Sequence, residues 1–567
     1  MRWSVRLSAL LASLLLIACA GGRTPSAVGG GDGPSVPAAP KRVVAALMAN
    51  PTTVFLQAAA GNEPGMDVLQ ALVHSGLSIV DGRGVLVPQL AVEIPSQENG
   101  LWKVFPGGQM ETTYRIRVGA YWHDGTAVTT DDLLFSLEVS QDRGLPRFVY
   151  PNLRYVDGAE ASDARTMTVR WKQPFIEADT LFGAGFVAPL PRHLLETSYR
   201  QNRANWENLP YWGAEAIGAG PFKIADWVPG SHMVLQAFDQ YVLGRPKIDV
   251  LEIRFIPDGN TLVANVLAGD SELTLGRSIS VEQAAQLDRW ADGKVVTTPL
   301  NLVYLFWQFL NPDPPALLDT GFRRALLRAI DREEMAEELQ RSVSPAAYSV
   351  LYPGQYPEIE GRLPRSEYDS RLASTELQGL GYRPAADGRL QEAGGKPLAV
   401  GVLVGEELDI NVRTAFAVAD YWKKVGVDAS VTVRPARLQG TAKLQMEAEW
   451  PGFTAIRTGA APAVIQNLHS GQARMPETGF NGNNRGRYVN SDLDVLLDRF
   501  AVTIPLRERT AILGALVQMI SDQVLILPLF YGAEPMAIAN RLANVGPRPA
   551  GGNGNPAWNA HEWDVKG

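Results

Sequence analysis

The chain has 567 residues and a formal net charge of −8, with 52 Lys and Arg against 60 Asp and Glu. This mildly acidic balance argues against nucleic acid as the main partner, because nucleic-acid-binding domains present strongly basic faces. The length is too great for a single hydrophobic core and predicts about two to four domains.

The N-terminus has the pattern of a secretory signal peptide. Arg2 and Arg6 supply positive charge ahead of an apolar run over residues 7–18. That run is shorter than the roughly 20 apolar residues that a membrane-spanning helix needs. A charged start, a short apolar stretch and a small-residue end are typical of a leader that is removed on export. We therefore predict a signal peptide over residues 1–18 and a mature protein outside the cytosol.

The chain has one cysteine, Cys19, directly after the apolar run. A lone cysteine cannot form an internal disulfide. Leu16, Ile17, Ala18 and Cys19 resemble the lipobox of bacterial lipoproteins, whose cysteine becomes lipidated and N-terminal. Residues 19–42 are rich in Gly, Pro, Ser and Ala and cannot bury enough surface to order themselves. We expect a lipidated Cys19 and a flexible tether; the alternative is an ordinary signal peptide with a chance cysteine.

Strands and helices alternate along the body of the chain. Residues 113–118 alternate apolar and polar side chains, the pattern of a strand with one buried face. A helix is predicted from Thr129, because Asp132 three residues later completes an N-terminal cap and suits the positive helix end. Apolar side chains recur at spacings of three and four over residues 321–339, which predicts one long amphipathic helix.

Further along, a strand, a helix and a strand are predicted at residues 398–404, 411–424 and 427–433. Two strands joined by a helix over this length indicate a parallel crossover unit. Helices are also predicted at residues 491–500 and 506–521, followed by a buried strand at 524–532.

The usual motifs of enzyme active sites are absent from the sequence. It contains no G-x-S-x-G elbow, no S-x-x-K, no H-E-x-x-H and no phosphate-binding loop that ends in G-K-S or G-K-T. The six histidines are scattered, which excludes a metal cage built from sequence neighbours. Asp and Glu pairs occur on any surface, so a carboxylate-based hydrolase stays open as the less favoured alternative. We expect no catalytic residues, no cofactor and no metal.

Five segments of the body, in chain order, share the sequence pattern of one family. Residues 114–138 match a strand that turns through [WF]-x-D-G-x-P-[LV]-T-A-x-D into a helix, with Ala127 where proline is usual. Residues 217–273 contain Gly-Ala-Gly-Pro-Phe where the family has G-T-G-P-[YF]. The remaining segments are 322–335, 484–498, in which Ser491 replaces a proline, and 558–565. Together they resemble the family 5 solute-binding proteins of ABC transporters, which include oligopeptide, dipeptide and nickel binders.

The resemblance implies an α/β fold of the two-lobed, periplasmic-binding-protein-like kind. Mixed sheets flanked by helices form the lobes, a hinge joins them, and an additional domain is peculiar to the family. The implied boundaries are 43–75, 196–295 and 529–567 for a discontinuous lobe I, 76–195 for the additional domain, and 296–528 for lobe II.

The resemblance also implies a function, the substrate-binding lipoprotein of an ABC importer. Such a protein captures a peptide or another polar small molecule in the cleft between its lobes, closes by hinge motion and docks on a membrane permease. The implied partners are the permease subunits, the ligand and the membrane that holds the lipid anchor. We expect a monomer in the periplasm or at the cell surface. The alternative is a ligand-sensing or adhesive lipoprotein on the same scaffold.

Most candidate ligand contacts come from the same resemblance. Residues 301–312 look like the strand that begins the second lobe beside the cleft, and residues 483–488 lie near the cleft in relatives. The candidates in these two stretches are Tyr304, Trp307, Asn311, Asn483, Asn484, Arg485 and Tyr488. The alternatives are ordinary core positions for the two aromatic residues of the first stretch and a polar surface loop for the second.

Arg457 is a further candidate, and it bears on the class of ligand. In peptide-binding relatives an Asp near an Asp-Pro pair binds the free amino group of the peptide. The matching tract, residues 450–471, contains no Asp or Glu, and it reads Ala461-Pro462. A buried ammonium without a carboxylate is costly, whereas an arginine suits a carboxylate or a phosphate. We hypothesise that Arg457 contacts an acidic or strongly polar ligand group; alternatively, it lies on the surface or pairs with an internal acid.

Overall fold

A computed structural model describes residues 39–58, 65–145, 147–183, 187–276, 279–459, 461–550 and 554–566. The predicted signal peptide, Cys19 and most of the predicted tether lie outside the described residues. Lys41 to Gly567 form one compact unit.

Up to residue 285, short strands and helices alternate. The strands are β1 (Arg42–Leu47), β2 (Ser78–Val80), β3 (Leu86–Pro88), β4 (Trp102–Val104), β5 (Met110–Arg115), β6 (Val156–Asp163), β7 (Thr166–Trp171), β8 (Phe222–Val228), β9 (His232–Ala237), β10 (Val250–Phe255) and β11 (Leu273–Leu275). The helices are α1 (Met66–Val73), α2 (Thr130–Gln141), α3 (Arg192–Gln201), α4 (Gly259–Leu267) and α5 (Val281–Ala285).

From residue 293 onward, helices dominate between two long strands. The strands are β12 (Gly293–Trp307), β13 (Arg383–Pro384), β14 (Leu390–Gln391), β15 (Ala399–Gly405), β16 (Asp428–Arg434), β17 (Phe453–Gly459), β18 (Leu527–Ala539), β19 (Leu542–Ala543) and β20 (Asp564–Val565). The helices are α6 (Thr320–Arg328), α7 (Arg332–Gln340), α8 (Pro357–Glu360), α9 (Ser370–Gly379), α10 (Asp409–Lys424), α11 (Gly440–Glu449), α12 (Ala463–Gln466), α13 (Ser491–Val502) and α14 (Leu506–Asp522).

One mixed sheet of ten strands organises the unit, in the order β16-β15-β17-β12-β18-β11-β1-β10-β9-β8. The two long strands β12 and β18 run antiparallel at its centre, with β17 beside β12 and β11 beside β18. These two strands therefore carry the chain from one half of the sheet to the other. The fold is α/β and two-lobed, and β12 and β18 connect the lobes.

Each half of the large sheet has its own hydrophobic core. β1, β8, β9, β10 and β11 pack with α1 and α4 around one core. In the other half, alternate residues of β12 point into two different cores, one on each face of the sheet. A fourth core lies under a separate four-stranded sheet, in the order β4-β5-β7-β6. Because both faces of β12 are covered over its last six residues, Leu302 to Trp307 form a continuous apolar run.

The crossover prediction for residues 398–433 is confirmed. β15 and β16 pair in parallel from Ala399 opposite Asp428 to Gly405 opposite Arg434, with α10 between them in sequence. The cap at Thr129 is also confirmed, since its N–H donates to the Asp132 carboxylate at 2.8 Å.

The single helix predicted over residues 321–339 was wrong, because the chain forms two helices there, α6 and α7. The side chain of Asp331 accepts a hydrogen bond from the Glu334 N–H at 3.0 Å and so starts α7 as a new helix. A short acid that caps locally competes with the helix backbone, and an apolar periodicity does not register this break. Among the described residues, no helix combines the length and the apolarity needed to cross a membrane.

Candidate functional site

A large cavity lies between the two halves of the ten-stranded sheet, and we call it the cleft. Its volume is about 1140 Å³. This slightly exceeds the range of roughly 300–1,000 Å³ that is usual for small-molecule sites. The lining includes Met48, Pro257, Gly259 and residues 279–283 from one half, and residues between 403 and 413, between 434 and 447, and 454–457 from the other. Gln340, Arg474, Arg485 and residues 532–534 complete it.

The cleft is placed by the carboxyl ends of parallel strands. In one half, β1, β10 and β11 are parallel, and Met48, Pro257 and Ile279 follow their last residues. In the other half, β15 and β16 are parallel and end at Gly405 and Arg434, which both line the cleft. Ligands of open α/β sheets bind outside the carboxyl ends of the strands. Here two such edges face one cavity.

An ion pair crosses the cleft. Arg413, in the second turn of α10, donates to the Glu282 carboxylate of α5 at 2.7 Å and also pairs with Asp409 at 2.8 Å. Burial acts to raise the pKa of Glu282, but hydrogen bonding, chiefly from Arg413, brings it below its ordinary value. The two residues are 131 positions apart in the sequence. The pair therefore ties the first turn of one helix to the other half of the molecule.

A cluster of cations surrounds the buried carboxylate of Glu447 on α11. Its oxygens lie 2.8 Å from Arg474, 3.6 Å from Arg485 and 3.6 Å from Arg434. Arg434 also pairs with Glu407 at 2.7 Å, and Lys443 lies 3.3 Å from the Glu407 carboxylate. Burial, followed by repulsion from Arg485, lowers the pKa of Arg474 below its ordinary value although Glu447 favours the charged form.

The end of β15 allows this cluster to form. A Cβ on Gly405 would lie 2.5 Å from an Nη atom of Arg434 and 2.0 Å from a carboxylate oxygen of Glu407. Real Cβ atoms do not approach other atoms so closely. Glycine at this position therefore lets the buried guanidinium sit against the backbone at the end of β15.

Asn411, in the first turn of α10, also lines the cleft. Its side chain is only 7 % exposed, and within the described residues its Oδ1 has no hydrogen-bond partner. An unpaired buried acceptor costs about 1–3 kcal/mol. A ligand N–H or O–H would satisfy this oxygen.

The structure brings two of the sequence-predicted contacts to the cleft, Arg457 on β17 and Arg485. The aliphatic part of Arg457 packs against the backbone of β18, where a Cβ on Gly532 would lie 3.2 Å from the Arg457 Cδ. Both arginines therefore form part of the lining of the cleft.

The two predicted aromatic contacts lie in the cores instead. Tyr304 is 6 % exposed, and burial raises its pKa to about 12. Trp307 is fully buried, with ring centroids 5.1 Å from Phe309 and 5.9 Å from Phe453. Neither lines the cleft. Both occupy ordinary core positions, because β12 is covered on each face.

The four remaining candidates also lie away from the lining of the cleft. Asn311 and Asn483 are exposed. Asn484 is buried and holds its own loop, since its amide donates to the Tyr488 carbonyl at 2.7 Å and to the Leu468 carbonyl at 3.2 Å. The ring of Tyr488 packs against Phe309 in a tilted arrangement, with a centroid distance of 4.6 Å. These contacts explain structural roles for Asn484 and Tyr488.

Sequence reasoning missed Arg413, Arg434, Glu447, Arg474 and Asn411. The sequence contained a signal for three of them. Arg434 follows the predicted strand 427–433, and Asn411 and Arg413 lie at the start of the predicted helix 411–424. Those positions belong to the carboxyl edge of the crossover unit, where ligands bind. Glu447 and Arg474 carried no such signal. In the part of the chain that the structure describes, no group of three or more His, Cys, Asp or Glu is placed to hold a metal ion.

Comparison with known proteins identifies the family. Residues 95–472 match the model of the bacterial extracellular solute-binding proteins, family 5 Middle. The chain is 26 % identical over 333 residues to the oligopeptide-binding protein AppA of Bacillus subtilis, an alignment that covers 58 % of this chain and 59 % of AppA. It is 25 % identical over 490 residues to the periplasmic murein peptide-binding protein MppA of Escherichia coli, covering 82 % of this chain and 83 % of MppA. Both relatives are named as binding proteins.

Solved structures share the fold over almost the whole chain. NikA from Brucella suis in complex with Fe(III)-EDTA superposes with a TM-score of 0.76 at 17 % identity, covering 93 % of this chain and 100 % of NikA. AppA from Bacillus subtilis in complex with a nonapeptide gives 0.70 at 21 % identity, with 93 % and 100 % covered. Because the family model matches more than half of this chain, the chain belongs to the bacterial extracellular solute-binding proteins of family 5.

Proposed function

We propose that this protein is the substrate-binding component of an ABC importer, which captures an extracytoplasmic solute in the cleft and delivers it to a membrane permease. The observation that carries the proposal is the cleft itself, which both halves line with the carboxyl ends of their parallel strands. Family membership supports it, as do relatives named for binding oligopeptides and murein peptides.

In this proposal, capture works by closure of two lobes. Lobe I comprises residues 43–75, 196–295 and 529–567, lobe II residues 296–528, and the additional domain residues 76–195. The separate cores of the two sheet halves support this division. A ligand favours the closed form only through its higher affinity for that form.

A hinge between the lobes lies on β12 and β18. Their pairing shifts register between Pro299 and Asn301, opposite Gly532 and Ala533, and these two residues of β18 line the cleft. Proline donates no ladder hydrogen bond, and a bulge bends and twists its strand. Bending at this point changes the distance between Glu282 and Arg413 on the two sides of the cleft.

The anchor belongs to the same proposal. A lipidated Cys19 and the segment up to residue 42 hold a monomer at the membrane, in the periplasm or at the cell surface. Mooring keeps the ligand-loaded protein near the permease that it serves. Two acyl chains, or one chain with a second attachment, are needed for stable anchoring, because one chain binds only weakly.

The ligand class follows from the charges of the cleft. Arg457 lies in the tract where peptide-binding relatives carry an acid, and it lines the cleft. We propose that it contacts an acidic or strongly polar ligand group and that the protein does not hold a free peptide amino terminus in the usual way. Peptides that bind through other groups remain within this class.

Mass spectrometry of small molecules released from the natively purified, denatured protein tests the function. A stoichiometric solute is the expected result, and it should raise the melting temperature when it is added back to ligand-free protein. Release of no solute, together with no binding of any member of a di- to pentapeptide library, would refute the proposal.

The same peptide library tests the role of the amino terminus. Peptides that bind should keep their affinity after N-acetylation. Tight binding that N-acetylation abolishes would show that an acid from elsewhere in the fold holds the amino group.

A further inference from the structure

The cation cluster around Glu447 has more positive charge than its carboxylates balance. Among the described residues, Arg434, Lys443, Arg474 and Arg485 share two carboxylates, those of Glu407 and Glu447. The cluster therefore keeps a formal excess of two positive charges. All six side chains line the cleft. Uncompensated charge that is partly removed from water is costly, and a counter-charge from a ligand would offset that cost.

Two of the arginines keep hydrogen-bond donors for such a ligand. Arg474 uses Nη1 on Glu447 at 2.8 Å and Nε on the Gly482 carbonyl at 2.8 Å. Arg485 reaches the same Glu447 oxygen only at 3.6 Å, beyond hydrogen-bond distance. Within the described residues, its guanidinium makes no hydrogen bond to another side chain or to a carbonyl, and its side chain is 34 % exposed.

We infer that Arg474 and Arg485 form a subsite for an oxyanion group of the ligand, a carboxylate or a phosphate. Glu447 holds the two guanidinium groups beside each other, and Arg434 and Lys443 strengthen the positive potential. Planar guanidinium groups bind both kinds of oxyanion with paired hydrogen bonds. This inference rests on the proposed function and assigns a negatively charged group to the solute.

The same ligand carries a hydrogen-bond donor. The unpaired Asn411 Oδ1 lines the same cavity and can only accept. A solute with an oxyanion at one point and an N–H or O–H at another satisfies both features. An amide-containing acid, such as an acidic or phosphorylated peptide, combines these two groups.

A purely structural role for the cluster makes different predictions. Arg474 joins the Gly482 loop to Glu447 on α11, so the cluster can act as a brace. A brace affects melting temperature but does not respond to the charge of the ligand. Discrimination between neutral and acidic ligands therefore separates the two roles.

Calorimetry with four probes tests the inference: the N-acetylated and C-terminally amidated peptides Ala-Ala-Ala-Ala, Ala-Glu-Glu-Ala and Ala-phosphoserine-Ala-Ala, which have no terminal carboxylate, and inorganic phosphate. The acidic peptides should bind more tightly than the tetra-alanine peptide, and the difference should shrink with added salt. If inorganic phosphate binds by itself and displaces the phosphopeptide but not the glutamate peptide, the preferred oxyanion is phosphate. Tighter binding of the glutamate peptide identifies a carboxylate.

Variants with opposite expected effects sharpen the test. Arg485→Gln should weaken the acidic probes by about 10- to 100-fold, the usual value of a charged hydrogen bond, and should leave tetra-alanine unchanged. Glu407→Gln raises the positive excess without removing the carboxylate that holds Arg474 and Arg485, and it should strengthen the acidic probes. Arg371→Gln, which removes an exposed arginine on α9 outside the cleft, is the matched control and should change neither. Melting curves establish that each variant is folded, and Arg485→Met, which also removes the charge, replaces Arg485→Gln if that variant is not.

The outcomes separate this inference from the proposed function. Equal affinity for neutral and acidic probes, unchanged in Arg485→Gln, would overturn the oxyanion subsite and leave the importer role intact. If no probe binds, the solute released from the purified protein decides. A released solute with a carboxylate or phosphate supports the subsite, and one without either refutes it. Release of no solute would count against the proposed function itself.

Discussion

His74 and His123 should make the protein lose stability in mild acid. His74 is fully buried, its ring lies edge-on to Phe55 at 5.1 Å, and within the described residues neither ring nitrogen has a hydrogen-bond partner. Burial, with a smaller contribution from His123, lowers the pKa of His74 to about 3. Burial likewise lowers the pKa of His123 to about 4, although a hydrogen bond to the Gly220 carbonyl opposes this.

The geometry explains why both rings stay neutral. The Nδ1 of His123 accepts the Gly218 N–H at 3.2 Å, and its Nε2 lies 3.0 Å from the Gly220 carbonyl. The same two glycines pack against the end of α1. A Cβ on Gly218 would lie 1.9 Å from the carbonyl oxygen of Val73. A proton on the Nδ1 of His123 would therefore break its hydrogen bond from Gly218, and among the described residues the ring of His74 has no acceptor for an added proton.

The sign and size of the effect follow from proton binding. Between the folded pKa values and the ordinary value near 6.5, the unfolded chain binds more protons, so stability falls as the pH is lowered through this window. At pH 5 each histidine costs about 2 kcal/mol, and the pair about 4 kcal/mol, at about 1.4 kcal/mol per pH unit. Asp179, whose pKa burial raises to about 6, acts in the opposite direction and offsets about 1 kcal/mol. The net loss is a large part of a typical stability of about 5–15 kcal/mol.

Urea unfolding at pH 7.5 and pH 5.0, followed by tryptophan fluorescence, measures the loss. His74→Leu removes one ring and should reduce the difference in unfolding free energy between the two pH values by about 2 kcal/mol. His232→Gln, a change at a partly exposed position on β9, is the matched control and should leave the difference as in the wild type. An identical pH dependence in the wild type and in His74→Leu would refute this account.

Three further predictions concern the cleft, the core and the anchor. Glu282→Gln removes the ion pair across the cleft and should increase the radius of gyration of ligand-free protein in small-angle scattering; no change would show that the pair does not hold the halves together. Trp307→Ala should cost about 3–5 kcal/mol of unfolding free energy, because the ring is fully buried, while ligand affinity stays within about twofold; a selective loss of affinity would restore Trp307 as a contact. Cys19→Ser should move the protein from the membrane to the soluble fraction, and mutant protein that stays on washed membranes would contradict lipidation.

Local signals in the sequence were sufficient for much of the fold. The crossover of β15, α10 and β16 follows from apolar periodicity, and the start of α2 follows from its cap. Such signals depend on residues within one or two turns of each other, so they are readable without a structure. The break between α6 and α7 was not predicted, because the apolar periodicity continues across it while the N-cap at Asp331 starts a new helix.

The sequence by itself determined the family, the α/β class and the presence of an arginine in a tract where relatives carry an acid. Only the tertiary structure decided which side chains meet in the cleft. Glu282 and Arg413 are 131 residues apart, and Arg474 lies in a loop 27 residues after Glu447 of α11. Their meeting depends on parallel strands from two halves that present their carboxyl ends to one cavity. Only the structure could place Tyr304 and Trp307 in cores. In a strand that is buried on both faces, the residues of each face are apolar, so the sequence pattern does not distinguish a core position from a ligand contact.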